Sequence, residues 1–376
     1  RSLVGIFMFG VQTYFLSKAI GYLIRILFFS IDNSLLDNEI FLTFFLGLNV
    51  IDWFSFMLVM VLQIILFSIG INYNKKIINI SAIIVYIGLT LFFFIVLLSD
   101  VKLTTKVFIE TLNFKNFLNS NFIAPLLTVA GTVFAYFSII IVSFGDFTRY
   151  VKNDDELKKG NLGLIINLII FSIFAVFIVI GSDIFLNQKF ENLERIFTNP
   201  TDIIGKFNNL QITIIALFFI IFASSSTNLA ANFIPSQYSL INFIPSKLNL
   251  RSSSYIIGIL SSIIGIFWLT ILSQIGILSF IDTFGCFFGP IFGVMIIDYY
   301  FIKEKDLSNK DIYSIDSTSL YYYSKGWHLK GVYSVIVGFI FSASTIWNLN
   351  MMYLQSYSWI VGGLVAMLIY YLLAKK

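Results

Sequence analysis

The sequence predicts an all-α integral membrane protein, and three observations predict it. Hydrophobic residues fill 58% of the 376 positions and charged residues only 12%, more apolar surface than a soluble domain of this length can bury. The apolar residues fall into ten runs of bilayer-spanning length, and the joints between them collect the polar and charged residues. No run alternates with a period of two, and each is about twice as long as a membrane-barrel strand.

Taken in order, the first run (4–29) contains Phe9-Gly10-Val11-Gln12-Thr13, with Lys18 and Arg25 beyond it. The spacing reads Lys18 as snorkelling toward water along its apolar stem, with Arg25 continuing a polar stripe. The joint 31–52 carries Asp32, Asp37, Glu39 and Asp52 with no Lys or Arg. Runs 53–71 and 77–98 follow, separated by Asn72-Tyr73-Asn74-Lys75-Lys76. Run 124–144 ends before Gly145-Asp146-Phe147-Thr148-Arg149-Tyr150, and a charged joint leads into run 162–186. Run 210–233 holds a polar island, and runs 254–276 and 278–302 come next, with Asp282 read as interfacial at the start of the latter. After a basic joint over 303–330, runs 331–348 and 356–373 complete the ten.

Charge sets the expected orientation. Lys75, Lys76, Lys158, Lys159, the cluster from Lys303 to Lys330, and Lys375 all fall on the side that holds both chain ends, and few basic residues fall opposite. Basic loops stay inside, so the expectation is a multi-pass protein of the inner cell membrane with both ends cytoplasmic. The net charge of +4 marks topology rather than a nucleic-acid partner. One cysteine, Cys286, excludes a disulfide framework, and one histidine, His328, argues against His-cluster metal chemistry and a Ser-His-Asp triad. No cofactor and no obligatory protein partner is expected; the lipid bilayer is.

The polar island is Ala223-Ser224-Ser225-Ser226-Thr227-Asn228-Leu229-Ala230-Ala231-Asn232. Such residues in a membrane helix are costly unless they face protein, water or a ligand. Ala223, Ser226 and Thr227 stand at i, i+3 and i+4 and share one face. A carbonyl and two hydroxyls there suit a small hard cation. Asn228 and Asn232 share a neighbouring face and offer the donors and acceptors that a heterocyclic amide requires. Hydrogen-bonded helix packing is the other reading of the same residues.

Four motifs then converge on one family. Arg1-Ser2-Leu3-Val4-Gly5 with Phe9-Gly10-Val11-Gln12-Thr13 resembles the opening of the third helix in the nucleobase–cation symporters, the permeases for cytosine, purines, uracil, thiamine, allantoin and hydantoin. Gly145-Asp146-Phe147-Thr148-Arg149-Tyr150 is similar to their signature at the end of helix six. Ser226 to Asn232 resembles helix eight, and Gly289-Pro290-Ile291-Phe292-Gly293-Val294-Met295 with Asp298-Tyr299-Tyr300 resembles helix ten. The resemblance implies the inverted five-helix repeat of the sodium-coupled leucine transporter fold. The ten runs would then be helices three to twelve of about twelve, forming a single transmembrane transporter domain over 1–376, and the opening on Arg1 reads as the C-terminal portion of a longer protein.

The resemblance also implies roles. Ala223 (through its carbonyl), Ser226 and Thr227 would be half of a sodium site, the expected coupling ion, with a proton as the alternative. Gln12 and Asn232 would bind a small planar heterocycle, and Phe137, with Tyr136 beside it, would stack on the ring. Where members often carry a tryptophan, four residues before Gln12, this chain has Met8, whose thioether contacts a ring less directionally. Asp146 and Arg149 would form a pair at the helix-six exit, as a cap or part of an inner gate. Gly289, Pro290 and Gly293 would make helix ten a bending outer gate or a tight packing face. The resulting expectation is an alternating-access importer rather than an enzyme. A same-fold carrier of another small solute, such as an amino acid, and a non-transporting sensor are the alternatives.

Overall fold

A computed structural model describes residues 1–111, 120–142, 144–148, 151–189, 203–204, 209–268, 277–312, 314 and 316–375. The long apolar runs become helices because a chain in lipid must satisfy its backbone hydrogen bonds within each segment. In chain order they are α1 (Ser2–Ile31), α2 (Val50–Phe67), α3 (Ile71–Ser99), α4 (Val101–Thr111), α5 (Ser120–Val142), α6 (Asp154–Lys189), α7 (Leu210–Thr227), α8 (Ile234–Phe243), α9 (Leu250–Ile266), α10 (Ile277–Ile297), α11 (Leu329–Trp347) and α12 (Ser358–Ala374). Among the described residues, nine helical stretches are long and apolar enough to cross a membrane, and α9 is a shorter apolar helix beside them. Together they account for the ten expected runs. Strand structure among the described residues is limited to two isolated bridges, Phe45–Leu48 and Ser324–Trp327.

Three boundaries differ most from the sequence expectation, the first being α6, which begins at Asp154 inside the charged joint rather than at 162. The segment Asn72–Lys76 forms the first turn of α3 rather than a joint. The break falls at Gly70, whose φ of +141° is open to glycine and strained for other residues. Asn74 turns back and donates to the Phe67 carbonyl at 3.0 Å, satisfying one of the orphan carbonyls that end α2. The run expected over 254–276 is helical over Leu250–Ile266, opened by a capping box between Asn249 and Ser252; positions 269–276 lie outside the described residues.

The polar island is not a regular helix. Between α7 and α8 the chain makes a π turn over Asn228–Phe233, closed by the Ile234 N–H donating five residues back to Leu229. Pro235 supplies a cause: it has no N–H for the Ala231 carbonyl, and its ring crowds that oxygen, so the preceding turn widens. A second π turn, Asp298–Ile302, ends α10.

The chain divides into two compact units, one of Arg1–Asn113 with Tyr150–Gln274, the other of Phe114–Arg149 with Ile275–Lys376. In the first unit α1 packs on α2, α7, the π turn, α8 and α9. Small residues allow this. A Cβ on Gly10 would collide with the Ser261 carbonyl of α9, and one on Gly265 would lie 2.9 Å from the Gly10 carbonyl. Ser261 donates back to the Ile6 carbonyl at 2.7 Å. Phe9, Phe67 and Phe233, all buried, meet as an aromatic triad with centroids 5.4–6.4 Å apart. Each such pair contributes about 0.5–1.5 kcal/mol beyond its area, and the triad fixes α1, α2 and the π turn together.

In the second unit α10 packs against α5, α11 and α12. A Cβ on Gly285 would meet Ala135 of α5, and Cβ atoms on Gly289 and Gly293 would collide with the Trp359 and Gly363 carbonyls of α12. Helix α10 runs through Pro290 without a break, and its glycines are points of close approach to neighbouring helices. Asp282 is buried, not interfacial: it is 5% exposed and accepts from Gln355 Nε2 at 2.8 Å. Hydropathy places it at the start of a span, but the 3-10 segment Leu349–Tyr357 brings Gln355 onto it.

Lys18 is also corrected. It does not extend alone toward water: its Nζ lies 3.3 Å from Asp52 of α2, and Arg25 donates to the same carboxylate at 2.8 Å. Asp52 is 6% exposed and belongs to the first turn of α2, not to a solvated loop. Lys18 and Arg25 share a face of α1 because they stand seven residues apart, and the carboxylate between them removes the need for either to reach solvent.

Candidate functional site

Gln12 and Thr13 project from the middle of α1 toward the π turn, held there by the close approach of α1 to α9. Asn232 Nδ2 donates to Gln12 Oε1 at 2.8 Å and to Asn228 Oδ1 at 2.9 Å. Asn228 Nδ2 in turn reaches the Phe9 carbonyl at 3.3 Å, Thr13 Oγ1 at 3.0 Å and Gln63 Oε1 at 3.3 Å. Thr13 donates to the same Gln63 oxygen at 2.8 Å. Gln12 Nε2 donates to the Ser224 carbonyl on α7 at 3.2 Å. Thr13, Gln63, Asn228 and Asn232 are all buried. Five polar side chains from α1, α2 and the π turn thus form one connected cluster on the same three elements as the Phe9–Phe67–Phe233 triad.

The two amides expected to face a substrate are therefore brought together, and in this structure each is the other's partner. A planar ligand with adjacent N–H and C=O groups can replace that bond without leaving either amide unpaired. Met8 lies on α1 one turn before Gln12 and is half-buried. Phe137 and Tyr136 stand on α5, in the other unit, with rings 5.3 Å apart and nearly perpendicular; Phe137 is half-buried and Tyr136 exposed. Arg149 lies outside the described residues, and Asp146 is described by its backbone alone, in a single helical turn Gly145–Thr148.

The expected cation ligands sit on the last turn of α7. Ser226 Oγ donates to the Ala223 carbonyl at 3.1 Å, so two of the three expected oxygens already adjoin, while Thr227 is exposed. Among the described residues, no group of three or more His, Cys, Asp or Glu side chains offers an alternative metal site. A cavity of about 380 Å³ lies between α3, α6 and α7, lined by apolar side chains including Val85, Phe92, Val179 and Phe219 and reaching Ala223. Gln12 and Asn232 do not line it.

Sequence reasoning missed Gln63 and the part played by Thr13. The signal was available for Gln63, a lone amide inside Val59-Met60-Val61-Leu62-Gln63-Ile64-Ile65, which is as costly in lipid as any residue of the island. A second polar cluster was also missed, in the other unit. Asp298 receives Tyr370 Oη at 2.6 Å and lies 3.1 Å from Lys303 Nζ. His328 stacks on Tyr323, with centroids 4.0 Å apart.

Residues 1–362 match the family model described as "Permease for cytosine/purines, uracil, thiamine, allantoin". The chain belongs to this permease family. The family is one of transporters and not of enzymes. Over 244 residues the chain is 26% identical to the allantoin permease of Bacillus subtilis (strain 168), an alignment covering 65% of this chain and 48% of that protein. Over 206 residues it is 25% identical to the purine-uracil permease NCS1 of Arabidopsis thaliana, covering 55% and 33%. The chain thus spans half the length or less of these curated relatives. Among solved structures, Mhp1, a nucleobase-cation-symport-1 family transporter in a closed conformation with bromovinylhydantoin bound, superimposes with a TM-score of 0.67 at 16% identity, over 98% of this chain and 73% of that one. The permease has that fold, the sodium-coupled leucine transporter type expected from its four motifs.

Proposed function

We propose that the permease takes part in secondary active import of a nucleobase or related heterocycle, of the uracil, allantoin, hydantoin, cytosine or purine type, coupled to a cation by alternating access. The observation that carries this reading is the Gln12–Asn232 bond of 2.8 Å: two amides from different helices, one on an irregular turn, placed to exchange their mutual bond for the polar edge of a planar ring. Substrates named for the relatives, allantoin and purine-uracil, carry such edges. Phe137, Tyr136 and Met8 are proposed to contact the ring faces. Sodium is the proposed ion, held by the Ala223 carbonyl, Ser226 and Thr227, with the proton as the alternative; the exposure of Thr227 leaves its hydroxyl able to turn to an ion. The ion gradient supplies the free energy, because a substrate shifts a conformational equilibrium only by its differential affinity for the two states. Helix α10 at Gly289, Pro290 and Gly293, and the Asp146–Arg149 pair, are the proposed gating elements. Both ends are proposed to face the cytoplasm, in the inner membrane, as the Lys and Arg distribution favours.

The test is uptake of radiolabelled uracil, allantoin, hydantoin and cytosine by cells expressing the protein, with and without sodium. One of these heterocycles should accumulate, and Asn232→Ala should lower its uptake about tenfold or more, the loss of a buried hydrogen bond being worth about 1–3 kcal/mol. Thr227→Ala should weaken the sodium stimulation. Undiminished uptake by Asn232→Ala would overturn the substrate assignment, and unchanged sodium stimulation by Thr227→Ala would overturn that of the ion.

A further inference from the structure

We infer that Gln63 of α2 is a positioning residue that fixes the polarity of the substrate amides, so that the site offers an acceptor and selects a heterocycle with an unsubstituted ring N–H. The inference rests on the reading that Gln12 and Asn232 meet the substrate, and it deepens that reading into a rule of recognition.

An amide side chain can be turned end for end, and its neighbours decide which end points where. Two main-chain carbonyls decide here, because they can only accept. The Phe9 carbonyl draws Asn228 Nδ2 to it, and the Ser224 carbonyl draws Gln12 Nε2. Their oxygens, Asn228 Oδ1 and Gln12 Oε1, therefore both face Asn232, whose Nδ2 carries two hydrogens and gives one to each. A ligand that replaces the Gln12 bond frees only one of these hydrogens, and it meets Gln12 Oε1 as an acceptor. What remains on Asn232 is Oδ1, for which the described residues supply no hydrogen-bond donor, so the cluster presents an acceptor to whatever enters.

Gln63 holds this arrangement from behind. Its Oε1 accepts from both Thr13 and Asn228, while its Nε2 is buried with no partner among the described residues. Gln63 thus keeps its oxygen on the cluster while its own amide N–H groups go unsatisfied, a costly choice in a buried site. The reverse orientation would set Nε2 against Asn228 Nδ2, donor facing donor, and would leave the Phe9 carbonyl, at 3.3 Å, to hold Asn228 against that repulsion. If Asn228 turns, Asn232 keeps only the Gln12 oxygen as an acceptor, the bond that a ligand displaces, and its amide can then present either end to that ligand.

N-methylated analogues test this directly. In cells expressing the protein, competition against the transported heterocycle is measured with uracil, 1-methyluracil and 3-methyluracil, and with hydantoin and its 1-methyl and 3-methyl derivatives. Methylation at one ring nitrogen of a ring that competes should weaken competition about tenfold or more, since it both removes the donor and leaves Asn232 Oδ1 unpaired. In Gln63→Met, of similar length and without the oxygen, the ratio of parent to methylated analogue should fall toward unity; in Thr13→Ser, which keeps the hydroxyl, it should persist. A purely structural role for Gln63 would weaken parent and analogue alike. Equal competition by all N-methyl isomers in the unaltered protein overturns the inference, as does a Gln63→Met protein that is folded by size-exclusion chromatography and still discriminates. Uptake untouched by Asn232→Ala is a different failure, that of the site assignment itself.

Discussion

Asp52 shows how a single residue changes meaning between a string of letters and a packed helix. In the sequence it is one of four acids in a joint without a base, a solvated residue. In the structure it is buried between Lys18 and Arg25, each about a quarter exposed. Removing it should leave two part-buried cations without their anion, and Asp52→Ala is expected to destabilise the protein by about 2 kcal/mol after allowance for solvent screening. Lys18→Met, which leaves the Arg25 bond in place, should do less. Thermal unfolding of the detergent-solubilised protein distinguishes the two. Asn232 stood out in the sequence because it belongs to a polar island in an apolar run, and Gln12 because its motif resembles that of a known family; that the two meet was not legible. Asp282 was misplaced for the complementary reason: its position in the run placed it at an interface, and its partners are distant in sequence, Gln355 lying 73 positions away.

Helices are where sequence reading succeeded most and where its boundaries slipped. Length and apolarity located the spans, since lipid leaves an extended segment no backbone partners. The irregular turns did not announce themselves. Pro235 is visible in the sequence, but whether a proline kinks, ends or widens a helix depends on what packs beside it. The close approach of helices at glycine is likewise a tertiary fact, and it can be tested by contrast. Gly10→Ala would drive a Cβ into the Ser261 carbonyl, whereas a Cβ on Gly163 of α6 meets nothing within 4 Å. Gly10→Ala is expected to destabilise by about 1–3 kcal/mol through overpacking. Gly163→Ala is expected to be neutral or stabilising by up to about 1 kcal/mol through helix propensity. Chemical unfolding of both variants checks the pair.

For the molecule as a whole, the four separated motifs were worth more than any one of them. Each rests on a few residues, but their order along most of the chain pointed to one fold, which the match over residues 1–362 and the superposition on Mhp1 bear out. Long-range polar pairing was the part that sequence order hid. In the second unit, the start of α11, the end of α12 and the end of α10 meet at His328, Tyr370 and Asp298. Burial, aided by nearby Lys303 and Lys330 and opposed by Asp298, holds His328 below the usual histidine range. Lys303 is raised despite its own burial, because its bonds to Tyr323 and Asp298 outweigh desolvation. A histidine depressed in the folded state binds its proton more readily when unfolded, so its contribution is complete above the ordinary histidine range and is lost as the pH falls through it. Thermal unfolding followed from about pH 8 to pH 5 should show that decline, and His328→Gln should flatten it.

The π turn between Asn228 and Asn232 has one further consequence. A π turn stores one surplus residue relative to a regular helix, and a helix advances about 100° per residue. Passing the surplus along the chain would rotate one asparagine away from the other while the helix axis stays in place. The proposed grip on a cargo molecule would then open by a local change of pitch, a small twist beside the aromatic triad, before any whole-helix tilt is needed.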